Sequence, residues 1–464
     1  DKAQRGKRTG TKAYDGTPQG ALLLLADGLM GYLVSPSMQW FRLLLELERL
    51  MDLPGVKLWL QECAEGIYSA LQRSNFYDQM HEYVLDAGSI GTATIYHEED
   101  KARSRIRFST RHMKEIYIAE NIYGEVDTVY RVFELPAREI YKKFPKNKLS
   151  QELINDARKN PFTKHKLIHA IEPNEGRDPE RLDSANKSFR SIYMEHNATD
   201  ILTKKGYDDL PYSVWRWRKN SGEWFGRSPA HDALVDILGL NRMAEDMLDA
   251  GHLSVKPPYN APAELRHRVR ITPNGMNYFI DENRKISPVH TGINYPIGRD
   301  REEQKQEAIR KHFRVDFFLM LAQAERQMTA TEIIERQSEK AAVLGSYIGR
   351  LQSDCLGPLI DRVFSIEMKA GRLPPPPESL MRYGDGNYRV DYLRPLAQAQ
   401  KRLYKTQGVM STLEGLANIL SIDPAVADIV DWDVVAREYI EAHGFPQQAL
   451  RDAKRVAQRR KERE

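Results

Sequence analysis

Cysteine is nearly absent from this 464-residue chain, which has only Cys63 and Cys355. They lie far apart and in no CxxC pair, so a disulfide framework and a structural zinc site built of cysteines are both excluded. A reducing compartment is the expectation. Long hydrophobic runs are missing too. The longest, residues 21–34 around Asp27 and 313–322 around Asp316, fall short of the roughly 18 to 20 residues of a membrane helix, and no membrane partner is expected. Neither sign of charge dominates: 69 Lys plus Arg face 65 Asp plus Glu, a formal net charge of +4 with 29% of residues charged. That excludes a histone-like polycation. Hydrophobic residues at 41% and aromatics at 9% are too many for a disordered chain. The opening Asp1 in place of Met predicts a missing short leader, and no charged-then-apolar-then-small signal pattern follows.

Catalytic signatures are equally scarce. There is no GxxxxGK[ST], so the phosphate cradle and lysine of an ATP-driven motor are missing. The glycines of 16–20 come without a lysine and read as a surface turn. Ser89, between Gly88 and Gly91, lacks the GxSxG spacing of a nucleophile elbow and reads as a helix-to-strand connection. His165 and His169 would share a helix face, but in a strand four residues span about 13 Å, too far for one ion. Asp428, Asp431 and Asp433 lack the glycine and distal glutamate of a calcium loop. Glu98, Glu99 and Asp100 are adjacent acids whose strand geometry points them to alternate faces. Neither a metal nor any other cofactor is expected.

The length allows two to four compact units. Helical periodicity runs through Leu22, Leu25, Leu29 and Leu33, and again through Phe41, Leu44 and Leu47 beyond Ser35-Pro36, which predicts two helices. Further helices are predicted over 56–73 and 77–86. From Thr92 to Arg218 the texture changes to short alternating runs, predicted as strands at 94–97, 105–109, 115–119, 126–135, 167–172, 189–195 and 214–217, with short helices over 136–143 and 151–159. Asn121 to Glu125 suits a hairpin turn. Ser228-Pro229 opens a rod running to Lys256, about 40 Å at 1.5 Å per residue. A 40-residue insert rich in Pro, Asn and Gly follows, then a second rod over 299–321. A capping box at Thr329 to Glu332 opens a long helix to Gly371, with a kink at Gly357-Pro358, then a strand over 388–393 and a helical C-terminal region. The class is α+β.

Basic residues gather in three places: Arg266, His267, Arg268 and Arg270 in the insert; Arg299, Arg301, Lys305, Arg310, Lys311 and Arg314 on the second rod; and Arg451, Lys454, Arg455, Arg459, Arg460, Lys461 and Arg463 at the C-terminus. Each set is mixed with acids or glutamines, and a strong phosphate site demands a purer patch.

In order along the chain, the phrases Ala26-Asp27-Gly28-Leu29-Met30-Gly31-Tyr32-Leu33, Gly226-Arg227-Ser228-Pro229-Ala230, Pro257-Pro258, Asp316-Phe317-Phe318, Met328-Thr329-Ala330-Thr331-Glu332, Gly371-Arg372-Leu373 with Pro374 to Pro377, and Leu396-Ala397-Gln398-Ala399-Gln400 resemble the portal proteins of tailed bacteriophages, in particular the head-to-tail connecting family of short-tailed phages. The resemblance covers nearly the whole chain, and none of its phrases is a catalytic signature.

It implies a ring-forming portal fold. Residues 1–226 would be a wing, with a helical part at 20–88 and a β-rich, barrel-like part at 92–218. Residues 227–255 and 299–321 would be the two stem helices, 256–298 an α/β clip, 322–328 a channel loop, 329–394 the long kinked wing helix and a strand, and 395–464 a helical crown. It further implies a non-enzymatic dodecamer at one capsid vertex of the virion, assembled in the host cytoplasm. The ring would pass double-stranded DNA without sequence preference at packaging and ejection. Its partners would be the terminase large subunit, major capsid protein, scaffolding protein and tail adaptor.

On this reading Gln323, Glu325, Arg326 and Gln327 lie near DNA, with Lys305, Arg310 and Arg314 as wall residues that could equally serve salt bridges between subunits. Arg266, His267, Arg268 and Arg270 would meet the terminase or adaptor, or else pair clip to clip between subunits. The alternatives are a nuclease-like DNA-processing subunit, which needs acids able to hold two metals, and an adaptor or scaffold without a DNA channel.

Overall fold

The computed structural model describes residues 12–178, 180–181, 183–184, 186–196, 200–260, 286–288, 295–316, 318–319, 345, 347–381, 388–392, 456, 459–460 and 462. The chain divides into two compact units, Asp1–Leu25 with Pro229–Leu319, and Ala26–Ser228 with Met320–Glu464.

Helix α1 (Thr17–Leu33) starts where the Thr17 amide donates to Asp15 Oδ1 at 2.7 Å. The second helix expected around Phe41 is instead strand β1 (Phe41–Leu45), with Phe41, Leu43 and Leu45 buried and Arg42 exposed. That is a period of two. The Tyr68 hydroxyl accepts from the Trp40 and Phe41 amides at 2.5 and 2.6 Å and donates to the Phe41 carbonyl at 3.1 Å, pinning the strand's start.

Helix α2 (Val56–Arg73) occupies the expected span and buries Trp59, Cys63, Ile67 and Leu71 along one stripe. Helix α3 (Phe76–Ile90) extends beyond its expected ends, stopping only at Gly91, whose φ of 96° is left-handed. A Cβ there would sit 2.3 Å from the Gly226 carbonyl oxygen, so the junction with the following strand admits only glycine. Ser89 lies in this last helical turn, its hydroxyl donating to the Leu85 carbonyl at 2.8 Å.

The strand region comprises β2 (Thr92–Asp100), β3 (Arg105–Arg111), β4 (Ile116–Glu120), β5 (Val126–Pro136), α4 (Ala137–Lys143), α5 (Gln151–Lys159), β6 (Lys164–Pro173), β7 (Phe189–Glu195), β8 (Ile201–Tyr207) and β9 (Tyr212–Arg216). Strand β8 was not expected; its Lys204-Lys205-Gly206 interrupts any apolar alternation. The strands form an antiparallel five-stranded sheet, β4-β5-β6-β7-β8, and a three-stranded sheet, β3-β2-β9.

The expected barrel does not form. Strands β4 and β8 remain the two edges of an open sheet, because its apolar face is covered by other elements and does not close on itself. At one end Ile116, Ile118, Val129 and Ile171 pack with Tyr96, Tyr212 and Val214 of the smaller sheet. At the other, Phe133, Leu167 and Leu202 pack with Ile140, Phe144, Leu149 and Leu153, which seats α4 and α5. Val129 and Phe133, like Leu167 and Ile171, are four apart on their strands and so face the same side.

Then follow α6 (Pro229–Asp232), α7 (Leu234–Val255), β10 (Tyr259–Asn260), β11 (Ser287–Pro288), α8 (Tyr295–His312), α9 (Gly357–Lys369), α10 (Glu378–Met381) and β12 (Tyr388–Tyr392). The discontinuity expected at Gly357-Pro358 takes the form of a π turn over Gln352–Leu356. Pro358 has no N–H to give the Asp354 carbonyl and its ring crowds that oxygen, so the helix widens there. Strand β12 pairs antiparallel with β1, Phe41 opposite Tyr392 and Leu45 opposite Tyr388. On α9 the buried Arg362 donates to the carbonyls of His97 (3.4 Å) and Asp209 (3.2 Å) and lies 5.0 Å over the Tyr207 ring.

Candidate functional site

The two rods expected to carry function are α6 with α7, and α8, all in the unit formed by Asp1–Leu25 and Pro229–Leu319. Leu, Met and Ala favour helix through α7, and Pro257-Pro258 forbids its continuation. At 1.5 Å per residue α6 with α7, continuous through the Ala233 amide on the Pro229 carbonyl and the Ile237 amide on the Ala233 carbonyl, spans about 40 Å, and α8 about 27 Å. The second rod breaks after His312. Arg314 there adopts a left-handed φ of 57° with its amide on the Lys311 carbonyl at 3.1 Å, and helix resumes at Val315.

The helices run antiparallel. Asp236 near the start of α7 meets Lys305 and His312 of α8, whereas Met247 further along meets Gly298, where a Cβ would stand 2.6 Å from the sulfur. Little apolar surface joins them: Leu240 and Ala244 are buried on α7, and Ile309 on α8, followed by Phe313, Val315 and Phe318. Polar contacts from the N-terminal arm add to this. The Tyr14 amide donates to Asn241 Oδ1 at 2.8 Å and its hydroxyl to Glu245 at 2.9 Å, Asn241 donates to the Lys12 carbonyl at 3.1 Å, and Gln306 donates to Asp15 at 3.0 Å. Sequence reasoning missed this arm because a lone Tyr14 ahead of a helix has no periodic signature.

Charge on the rods is largely neutralised within the chain. Lys305 Nζ lies 2.6 Å from Asp236 Oδ1, and His312 lies 3.6 Å from the other oxygen. The Lys305 ammonium thereby holds the Asp236 carboxyl below its ordinary range. Lys311 pairs with Glu307 at 2.7 Å, Arg299 with Glu303 at 3.2 Å, and Arg242 with Glu245 and Asp246 at 2.9 and 3.4 Å. Arg310 and Arg314 are exposed. With one cation and four acids on α7, and five cations and four acids on α8, the pair carries a formal −2.

Of the sequence-predicted residues, the structure thus brings Lys305 onto Asp236 and places Arg310 and Arg314 at the surface where α8 ends. Gln323, Glu325, Arg326 and Gln327, together with Arg266, His267, Arg268 and Arg270, lie outside the described residues, as do the C-terminal cations apart from the exposed Arg459 and Arg460. His165 and His169 both sit on β6, bonded separately to Asp156 at 2.9 Å and Ser191 at 3.0 Å. Among the described residues no group of three or more His, Cys, Asp or Glu is placed to hold a metal, and no helix is long and apolar enough to cross a membrane.

Two antiparallel helices thus flank residues 256–294 in the sequence, in a chain that also carries a sheet-bearing unit. The family described as bacteriophage head to tail connecting protein matches residues 1–450. The chain belongs to that family. Among the relatives of this connector is a protein of Bordetella phage BPP-1 named probable portal protein, 30% identical over 480 residues that cover 99% of this chain and 83% of the relative. Another is the portal protein of Salmonella phage epsilon15, 29% identical over 451 residues that cover 95% of this chain and 80% of that protein.

Proposed function

We propose that this connector is a portal subunit. It assembles with copies of itself, as a dodecamer, into a ring at one capsid vertex of the virion, passes double-stranded DNA inward at packaging and outward at ejection, and carries the tail. The observation that supports this reading best is the family match over residues 1–450, together with two relatives named portal protein that align with at least 95% of the chain. The role is structural, with the packaging ATPase a separate terminase docking on the clip around Arg266, His267, Arg268 and Arg270. Capsid protein, scaffold and tail adaptor are the other partners, and Gln323, Glu325, Arg326 and Gln327 form the loop nearest DNA.

The stem's electrostatics suit a conduit. Duplex DNA carries about one negative charge per 1.7 Å, so a wall of unpaired cations would grip it through counterion release. A pair of helices with formal charge −2, its lysines and arginines largely tied to acids, holds shallow wells and lets the duplex slide. Arg310 and Arg314, exposed where α8 ends, are the stem cations best placed to touch phosphates.

The test is the mass and rotational symmetry of the purified particle, by native mass spectrometry and two-dimensional electron-microscopy class averages. A closed ring near twelve subunits with a bore wide enough for duplex DNA is expected. A stable monomer or dimer with metal-dependent nuclease activity overturns the reading.

A further inference from the structure

A concentration of positive charge among the described residues lies away from α7 and α8. Residues 137–166, comprising α4, α5 and the start of β6, hold nine Lys and Arg against three Asp and Glu, a formal +6 inside a chain whose total is +4. Glu134, opposite Lys166 on the neighbouring strand, lowers this only to +5. Two of the three acids are already engaged. Glu139 pairs with Arg138 at 3.0 Å and Lys142 at 3.9 Å, and Asp156 with His165 at 2.9 Å.

Cations in the last turns of α4 and α5 complement the helix dipoles, and that accounts for Lys142, Lys143, Arg158 and Lys159. It leaves Lys146 and Lys148, exposed in the connection between the helices. It also leaves Lys204 and Lys205 on β8, whose Leu202 packs in the same core as Ile140 and Leu153. The crowding is felt at Lys143: desolvation of its ammonium, and then the charges of Arg111, Arg131 and Lys205, pull its pKa down against the opposing pull of Glu98.

Three aromatic rings hold these cations in place. Arg138 lies 4.7 Å over Phe162, Lys146 4.8 Å over Tyr141 and Lys143 4.9 Å over Tyr193. Each of these rings thus has a face covered by one of the chain's own charges, which disfavours stacking on unpaired bases as a single-strand site requires. Propped cations on two packed helices instead suit a regular row of phosphates.

We propose that the α4–α5 face is a binding site for the backbone of duplex DNA, carried by the sheet-bearing unit and independent of the stem. The portal reading enters only in naming duplex DNA as the polyanion. The site binds without sequence preference, and its strength falls with salt by close to one power of concentration per phosphate contacted.

The experiment uses the full-length assembled protein and a covalently closed circular duplex, which cannot thread a closed ring. Its affinity is measured by fluorescence titration across a salt series. Replacing Lys142, Lys146, Lys148, Arg158 and Lys159 by Gln is expected to weaken binding more than about tenfold near 0.1 M salt and to reduce the log–log salt slope by about 3 to 4. Arg242→Gln with Arg299→Gln, stem cations paired to acids of their own helices, is expected to leave both unchanged. Unaltered affinity and slope in the five-residue variant overturn the proposal. So does tighter binding of poly-glutamate of matched charge, which would mark a site for an acidic polypeptide.

Acetylation footprinting of the unmodified protein needs no variant: bound circles should protect Lys142, Lys146, Lys148 and Lys159, and equal labelling with and without DNA also overturns the proposal. A failed ring sinks the portal reading without altering this titration, and a failed titration sinks this site without altering the ring.

Discussion

Arg362 is a buried charge held by two carbonyls and the Tyr207 ring. Arg362→Leu leaves those buried acceptors unserved and is expected to cost about 2 to 4 kcal/mol, read as a lowered midpoint in denaturant with an unchanged m-value. Acid sensitivity has a residue-scale cause as well. Burial, and then the charges of Lys143, Arg131 and Arg111, pull the His169 pKa down to about 3, and burial pulls His97 well below its usual value. Both are neutral in the fold but take up a proton near pH 6.5 when unfolded. The unfolded state therefore binds more protons between about pH 6.5 and 3, so stability falls as pH drops through that window. His169→Gln should flatten the slope of unfolding free energy against pH there; an identical slope would show that this imidazole does not contribute. Asp236 adds a smaller change at lower pH. Its depressed carboxyl stabilises the fold above its unfolded pKa, near 3.9, and loses that contribution as pH falls through the folded value. Asp236→Asn is expected to cost about 0.5 kcal/mol at neutral pH and nothing once the wild-type carboxyl is protonated.

Among the elements, strand β1 and the α3–β2 junction show how single contacts choose between helix and strand. The apolar set Phe41, Leu44 and Leu47 suggests a helical period, but the three hydrogen bonds of the Tyr68 hydroxyl and the pairing with Tyr388–Tyr392 make the segment a strand. Tyr68→Phe should therefore speed hydrogen exchange at the Phe41 amide by more than tenfold while leaving amides in the middle of β6 protected. Gly91→Ala is expected to destabilise the protein by more than about 2 kcal/mol, since the left-handed φ and the Gly226 carbonyl oppose the same methyl. Thermal unfolding measures it, and Gly16→Ala, where a Cβ meets nothing within 4 Å, is the control. Strand β7 and helices α2 and α5 were legible to the residue, because their periodicity is undisturbed and their stops are local. Strand β8 was not, because its place is set by pairing with β7 and not by its own pattern.

For the whole molecule, the sign of charge on each part bears on how DNA is handled. On the portal reading, Asp246→Lys with Asp249→Lys takes the helix pair from −2 to +2 and should slow DNA passage at low salt, with recovery as salt is raised; single-particle packaging rates are the measurement. The sequence by itself determined the α+β class, the absence of a cysteine framework and the two rods, because these rest on local periodicity, composition and short-range stops. It also carried the family resemblance, which depends on the order of phrases and not on their contacts. Only the tertiary structure decided that the large sheet stays open, since closure depends on what else covers its apolar face. Only the structure tied Lys305 to Asp236, a contact between residues 69 apart. The excess charge of residues 137–166 stands in the sequence, but only the fold seated α4 and α5 beside β8 and set Phe162, Tyr141 and Tyr193 against Arg138, Lys146 and Lys143, because these contacts are a matter of distance and not of spacing in sequence.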